Sequence, residues 1–153
     1  MRRDLRTPLC VAPWPADTVP ALLTPDLSLQ AHQLLSQNPM PGEEPLASHA
    51  SWLDAFERDP EFDRSRCFLA MNRERVVGVI TCWTSAFIKD LVVHPDHRNR
   101  GIGAALLNHL FVHLIQCGEA VADLKVMENN RVARRLYEKS GMSYVARLAV
   151  DLN

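Results

Sequence analysis

Hydrophobic and polar positions along the chain predict a series of short strands and helices. Apolar runs predict strands over residues 5–11, 67–71, 75–83, 91–93 and 121–126, and a strand or strand pair over 143–152. Apolar residues at helical spacing predict one or two short helices within 15–37, and further helices over 48–58, over 101–116 and from Asn129 or Asn130 to about Gly141. Residues 38–45 hold three prolines and one glycine, and we expect a loop there that is either a lid or a plain connector.

The order of these elements is typical of a mixed α/β layered domain. At 153 residues the chain is long enough for one domain, which we expect to span 1–153. The net charge of −1 gives no indication of a nucleic-acid partner, and no apolar run reaches membrane-spanning length. The four cysteines form no C-x-x-C pair and Pro8 and Pro13 interrupt the basic start, so we expect a cytoplasmic protein with reduced thiols. His109 and His113 lack the glutamate of the H-E-x-x-H motif, and we expect no metal site.

The segment from the predicted strand at 91–93 into the helix at 101–116 has the pattern of a phosphate-binding turn. A basic stretch, His94 to Arg100, separates the strand from Gly101-Ile102-Gly103 and Ala104. The first amides of a helix have no partner within the helix, and the helix dipole makes that end positive. Glycine lets the backbone approach an anion closely, and Arg98 and Arg100 add positive charge.

Several interpretations of this turn are open on its residues alone. A Walker A loop is excluded because Gly-Lys-Ser/Thr is missing. A dinucleotide fold requires a third glycine where Leu106 stands, although Asp123 lies at a suitable distance for the acid of that motif. A coenzyme A diphosphate loop of the form Arg/Gln-x-x-Gly-x-Gly/Ala fits 98–103 at each fixed position. An ordinary strand-to-helix turn with surface arginines is the remaining alternative.

A second motif lies downstream, in Asn130-Arg-Val-Ala-Arg-Arg-Leu-Tyr-Glu-Lys-Ser-Gly141. Asparagine is a favoured N-cap, and glycine commonly ends a helix. Together with the Arg-x-x-Gly-x-Gly loop, this pattern resembles the GNAT family, the Gcn5-related N-acetyltransferases that use acetyl-CoA. The resemblance covers roughly residues 76–144, about half the chain. It implies a mixed, mostly antiparallel sheet flanked by helices, with splayed central strands.

The resemblance also implies roles for particular residues. The pantetheine arm of acetyl-CoA would pair with backbone groups of Leu91, Val92 and Val93, beside a bulge at Val92–Val93 whose amide would face the thioester oxygen. The diphosphate would lie on the amides of the loop with Arg98 beside it, and Asn130 would contact the cofactor arm. Tyr137 would protonate the departing thiolate. The residues expected to hold the diphosphate are Asn99, Arg100, Gly101, Ile102, Gly103 and Ala104.

The general base and the acceptor are less defined by the sequence. Where relatives carry a glutamate, this chain has Lys125 or Phe87, so the nearest acids are Asp90, which we prefer, and Asp123. We expect direct transfer of an acetyl group to a primary amine of a small metabolite or a protein, with Trp52, Phe56, Trp83 and Phe87 as candidates to line the acceptor side. The alternatives are a non-catalytic acyl-CoA-binding or sensing module of the same fold and a small NAD-binding domain. By analogy with the family, a homodimer is also suggested.

Overall fold

Six strands form one sheet in the part of the chain that the structure describes, and helices pack on both of its faces. The computed structural model describes residues 1–9, 12–39 and 45–147. The strands are β1 (Arg2–Asp4), β2 (Thr18–Leu22), β3 (Phe68–Asn72), β4 (Arg75–Cys82), β5 (Phe87–Val93) and β6 (Val121–Leu124). The helices are α1 (Ser28–Gln37), α2 (His49–Arg58), α3 (Ile102–Gln116) and α4 (Arg131–Lys139), with short 3₁₀ turns at Pro25–Leu27, Arg64–Arg66 and Pro95–His97.

The sheet is mixed and mostly antiparallel, as predicted. Its order is β1-β6-β5-β4-β3-β2, and β5 and β6 are the one parallel pair among these strands. An apolar cluster under α3 covers one face, and a second cluster under α1 and α2 covers the other. β4 runs between them and is buried along nearly its whole length. This antiparallel order is not that of a dinucleotide fold, whose sheet is mostly parallel.

β5 and β6 separate soon after they meet, which confirms the predicted splay. Only Phe87–Asp123 and Ile88–Leu124 are paired, whereas β5 continues beside β4 to Val93. The backbone of residues 89–93 therefore has no strand on its β6 side within the described residues. We call this opening the split.

The bulge in β5 lies at Lys89, so the prediction of a bulge at Val92–Val93 is wrong. Thr81 pairs with Asp90 and Cys82 with Ile88, which leaves Lys89 as the extra residue. Val92 and Val93 stay in regular register with Val79 and Gly78. Each valine packs into a different core, on opposite faces of the sheet, and this packing holds the regular alternation there.

For the first third of the chain, one prediction is wrong and another is incomplete. The first strand is Arg2–Asp4 rather than 5–11, of which residues 10 and 11 lie outside the described residues. β1 pairs with β6. Arg2 forms a bidentate ion pair with Asp123, with Nε 2.7 Å from Oδ1 and Nη2 3.0 Å from Oδ2. Within 15–37, Thr18–Leu22 is a strand that pairs with β3, and only the later part is helical.

The other elements differ from prediction mainly at their ends. The hairpin of β3 and β4 and the helices α2, α3 and α4 are confirmed to within a few residues, whereas β6 ends at Leu124. Ser143 forms a single bridge with Arg2, and residues 144–147 form no strand, so a strand over 143–152 is wrong for its described part. Residues 148–152, and 40–44 of the predicted loop, lie outside the described residues. No helix in the described ranges has the length and apolar character needed to cross a membrane.

The end of α4 packs tightly against a buried arginine. Gly141 has φ +89°, and a Cβ there would lie 2.8 Å from Nε of Arg3. The Arg3 guanidinium cannot easily move, because it donates to the carbonyls of Asp4 and Pro8 and to the Thr7 hydroxyl. Arg3 thus fixes the start of the chain beneath the helix that carries Tyr137.

This contact predicts a difference between two glycine-to-alanine variants. Gly118 has φ +84°, but a Cβ added there would meet no atom within 4 Å, so Gly118→Ala adds only left-handed strain of about 1 kcal/mol. Gly141→Ala adds a steric clash as well, and we expect it to lose about 1–3 kcal/mol more. Urea denaturation of both variants measures the difference. Equal losses would contradict tight packing of Arg3 on Gly141.

Candidate active site

The turn between β5 and α3 leaves the first amides of a 15-residue helix uncapped. Gly101 is the N-cap with φ +88°, and no side chain hydrogen-bonds to the first turn of α3. Asn99 is also left-handed, with φ +61°. Ile102 is buried and anchors the helix start in the core, while Asn99, Arg100 and Gly101 are exposed. The helix end can therefore accept an anion from solvent.

The two arginines of the loop have different surroundings. Arg98 donates from Nε to the Val93 carbonyl at 3.1 Å and from Nη2 to Oδ1 of Asn38 at 3.1 Å. It therefore ties the end of β5 to the end of α1. Arg100 is exposed and makes no hydrogen bond to the described residues, so it is the arginine that can turn freely toward a bound anion.

Gly103 contributes to helix packing in addition to its predicted place in the loop. A Cβ at Gly103 would lie 3.0 Å from Cδ2 of Leu136 and 3.9 Å from Cγ2 of Val93. The missing side chain lets α4 pack closely on the start of α3, next to the end of β5. The sequence motif indicated only a role for this glycine near the phosphate, and its packing role becomes visible in the structure.

Tyr137 follows Leu136 on α4 and lies half-buried at the edge of the α3 core. Leu91, Val93, Val126 and Leu136 border the same core, so residues of β5, of the segment after β6 and of α4 surround the split. The Tyr137 hydroxyl has no hydrogen-bond partner among the described residues. Burial raises the pKa of Tyr137 to about 12, so the phenol stays protonated near neutral pH and can donate a proton.

Asn130 lies at the start of α4, where the sequence predicts it. Its Oδ1 accepts a hydrogen bond from the Ala133 amide at 3.2 Å, which caps the helix. Its Nδ2 group has no partner among the described residues. The side chain can therefore cap α4 and still donate to a ligand that lies in the split.

The two candidate general bases, Asp90 and Asp123, differ in how many of their carboxylate oxygens are already bonded to other residues. Asp90 is half-buried on the α1 and α2 face, and its Oδ2 accepts from the Thr81 hydroxyl at 2.7 Å. Both carboxylate oxygens of Asp123 bind Arg2. Asp90 thus keeps one oxygen available, whereas Asp123 is used to join β1 to β6. Sequence reasoning did not identify Thr81, which orients Asp90 from the neighbouring strand.

The aromatic candidates separate into two pairs. Trp52 and Phe56 are 5% and 7% exposed, and their rings stack at 5.1 Å inside the second core. They support α2 from within and present little surface to an acceptor, so the expectation that they line the acceptor side is not favoured. Trp83 and Phe87 are half-exposed, and their rings lie 6.0 Å apart at the closed end of the split.

A conservative charge change tests whether the loop binds a diphosphate. We expect Asn99→Asp to weaken acetyl-CoA binding by about tenfold or more, because it adds a negative charge beside the phosphates. Aspartate tolerates the left-handed backbone and suits a helix N-terminus, so the fold should keep its stability. Isothermal titration measures the affinity. The control, Gln116→Glu, makes the same change about 20 Å away at the other end of α3 and should bind normally. Unchanged affinity of Asn99→Asp would mean that the loop is misassigned.

Comparison with known proteins decides which family these elements belong to. The sequence model of the acetyltransferase (GNAT) family matches residues 29–142. The chain belongs to the GNAT family. It is 32% identical over 127 residues to mycothiol acetyltransferase of Geodermatophilus obscurus, covering 71% of this chain and 40% of that relative. The chain thus spans less than half the length of that curated GNAT relative.

Solved GNAT structures share the fold. A GCN5-related N-acetyltransferase from Sphaerobacter thermophilus superposes with a TM-score of 0.79 at 23% identity, covering 93% of this chain and 46% of that one. Diaminobutyrate acetyltransferase from Paenibacillus lautus, solved with L-2,4-diaminobutyric acid and coenzyme A, gives a TM-score of 0.63 at 21% identity and covers 80% and 73% of the two chains. The six-stranded sheet with its split is therefore the GNAT architecture.

Proposed function

We propose that the protein transfers an acetyl group from acetyl-CoA to a primary amine, by direct attack while both substrates are bound. The observation that carries this proposal is the split between β5 and β6, which opens beside an uncapped helix N-terminus and a protonated Tyr137. Membership of the GNAT family supports the same reaction class. The acceptor is a small molecule or a protein amine.

The residues present suit acetyl-CoA. The loop amides of residues 99–104, with Arg100 free to turn, suit the diphosphate. The unpaired backbone of residues 89–93 suits the amide groups of the pantetheine arm, because those backbone groups otherwise need a partner. Coenzyme A bound to the relative from Paenibacillus lautus supports this choice of cosubstrate.

Two side chains supply the proton transfers. Acetyl-CoA provides an acetyl group activated as a thioester. Asp90 accepts a proton from the amine, directly or through water, as the nitrogen bonds to the acetyl carbon. Tyr137 donates its proton to the sulfur as the carbon–sulfur bond breaks, and backbone amides near the Lys89 bulge stabilise charge on the thioester oxygen.

A non-catalytic acyl-CoA sensor is the second candidate. Lys125 favours the sensor, because this lysine stands where several relatives carry a glutamate that can act as the general base. The neutral phenol of Tyr137, unbonded and next to the split, opposes it, since a sensor needs no proton donor there. Release of CoA above background in the presence of an amine separates the two candidates.

We also propose a reducing, cytoplasmic compartment. Cys67 and Cys82 are buried free thiols, and Cys117 is a free thiol at the surface. Burial raises the pKa of Cys67 to about 11 and that of Cys82 to about 12, so these two thiols are unreactive core groups.

Thermal unfolding with ligands tests cofactor binding. A ligand that binds only the folded state raises the unfolding midpoint. We expect acetyl-CoA and CoA to raise it and NAD to leave it unchanged. No rise with either form of CoA would overturn the proposed function.

A further inference from the structure

The bulge in β5 turns Lys89 toward the α1 and α2 side of the sheet. Its Nζ lies 5.8 Å from the centre of the Phe56 ring on α2. Asp90, the next residue, lies on the same side, since it bonds to Thr81 there. Without the bulge, consecutive residues would point to opposite faces. The Asp90 carboxylate and the Lys89 ammonium group therefore lie side by side just beyond the closed end of the split.

Lys125 lies across the split from Lys89 and faces the same way. Ile88 pairs with Leu124, and a lysine follows each of them, Lys89 within β5 and Lys125 directly after the end of β6. Leu124 and Val126 both pack against the α3 core, which directs Lys125 to the opposite face. Both lysines are exposed.

Neither lysine is neutralised by a carboxylate within 4.0 Å among the described residues. Asp90, next to Lys89 in the sequence, accepts a hydrogen bond from Thr81. Asp123, two residues before Lys125, pairs with Arg2. Two lysines without an ion-pair partner in the described part of the chain, against one carboxylate at Asp90, therefore lie where the proposed reaction brings the acceptor to the acetyl group.

These charges are too far along β5 to serve the diphosphate. Val93 comes four positions after Lys89, which is about 13 Å of extended strand, and the loop begins beyond that point. The lysines lie near the closed end of the split, where the proposed function puts the thioester, on the face that the α3 core leaves open. Trp83 and Phe87 lie at the same end.

We propose that the acceptor carries an anionic group, a carboxylate or a phosphate, a few bonds from its amine, and that Lys89 and Lys125 bind this group. The amine then lies toward Asp90, and the anion lies between the two lysines. This inference rests on the proposed acetyl transfer. It also accounts for a lysine at position 125, because a glutamate there would repel such an acceptor.

Matched amines that differ only in the anionic group test the proposal on the unaltered protein. Ornithine is compared with putrescine, lysine with cadaverine, and glucosamine 6-phosphate with glucosamine. We expect kcat/KM to be at least about tenfold higher for the anionic member of one pair, the size of one charge-assisted hydrogen bond. The first two pairs report a carboxylate and the third a phosphate. Equal or better use of the members that lack the anionic group, or turnover of no member that carries it, would overturn the proposal.

Lysine variants locate the effect. We expect Lys89→Gln and Lys125→Gln each to raise KM for the preferred anionic acceptor about tenfold, with kcat changed less than about twofold. The third lysine of the chain provides the control, because Lys139→Gln removes an exposed charge on α4 and should change neither constant. Unchanged KM in both test variants would overturn the assignment of these lysines.

Acetyl-CoA binding separates the two possible failures. If acetyl-CoA raises the unfolding midpoint and amines without an anionic group are acetylated as well as those that carry one, the anionic acceptor is wrong and acetyl transfer stands. If acetyl-CoA does not raise the midpoint, both proposals are overturned.

Discussion

Replacing Tyr137 with phenylalanine is expected to lower kcat by roughly 10²-fold or more, the usual contribution of a general acid. The ring is retained, so its packing at the edge of the α3 core should persist, and acetyl-CoA affinity should change less than about twofold. Burial raises the pKa of this phenol to about 12, so the wild-type side chain is protonated over the ordinary assay range. Initial rates of CoA release and isothermal titration with acetyl-CoA measure the two quantities separately.

The other tyrosine of the chain is the matched control. The sequence has two tyrosines, and the hydroxyl of Tyr144 accepts from Arg134 and donates to Glu138 on the exposed side of α4. We expect Tyr144→Phe to keep kcat within about twofold of the wild type. Equal rates for Tyr137→Phe and Tyr144→Phe would remove Tyr137 from the mechanism.

Replacing Asp90 with asparagine is expected to lower kcat/KM by about 10²-fold near neutral pH. The amide keeps the shape of the carboxylate and can still accept the Thr81 hydroxyl bond, but it cannot take a proton from the acceptor. A lysine-type amine has a pKa of about 10, so the free acceptor loses its proton without help as the pH rises. The difference in kcat/KM between the wild type and Asp90→Asn should therefore become steadily smaller toward high pH, which a pH–rate profile measures.

Asp123→Asn distinguishes the two acids. We expect this variant to lose a partly exposed ion pair with Arg2, about 1 kcal/mol of unfolding free energy or less, and to keep its turnover. If Asp123→Asn loses turnover while Asp90→Asn does not, the base is misassigned. If kcat/KM of Asp90→Asn is reduced by the same factor at every pH, Asp90 positions the acceptor and does not take its proton.

The sequence predicts best the features that depend on neighbouring residues. The left-handed Gly101, the uncapped start of α3 and the Asn130 cap of α4 follow from local backbone chemistry. The strands β1 and β2 were missed, because pairing with distant partners stabilises them. β1 is polar and is held by Arg2 and Asp123, which are 121 residues apart. β2 contains Pro20 and becomes a strand through its pairing with β3.

The acceptor side could not be predicted because it depends on register between strands. Whether Asp90 faces the core or the acceptor depends on where the bulge lies, and a shift of one residue reverses the face. The family resemblance implied a bulge at Val92–Val93, but the structure places it at Lys89. That difference brings Lys89 and Asp90 to one face and leads directly to the proposed acceptor class.

Release of CoA in the presence of a panel of primary amines tests acetyl transfer most directly. The panel holds the three matched pairs, and mass spectrometry of the amine checks that each CoA released corresponds to one added acetyl group. We predict amine-dependent release well above the rate without amine, with strong loss in Tyr137→Phe. Binding of acetyl-CoA without amine-dependent release for any member of the panel would contradict the catalytic account and favour the acyl-CoA sensor.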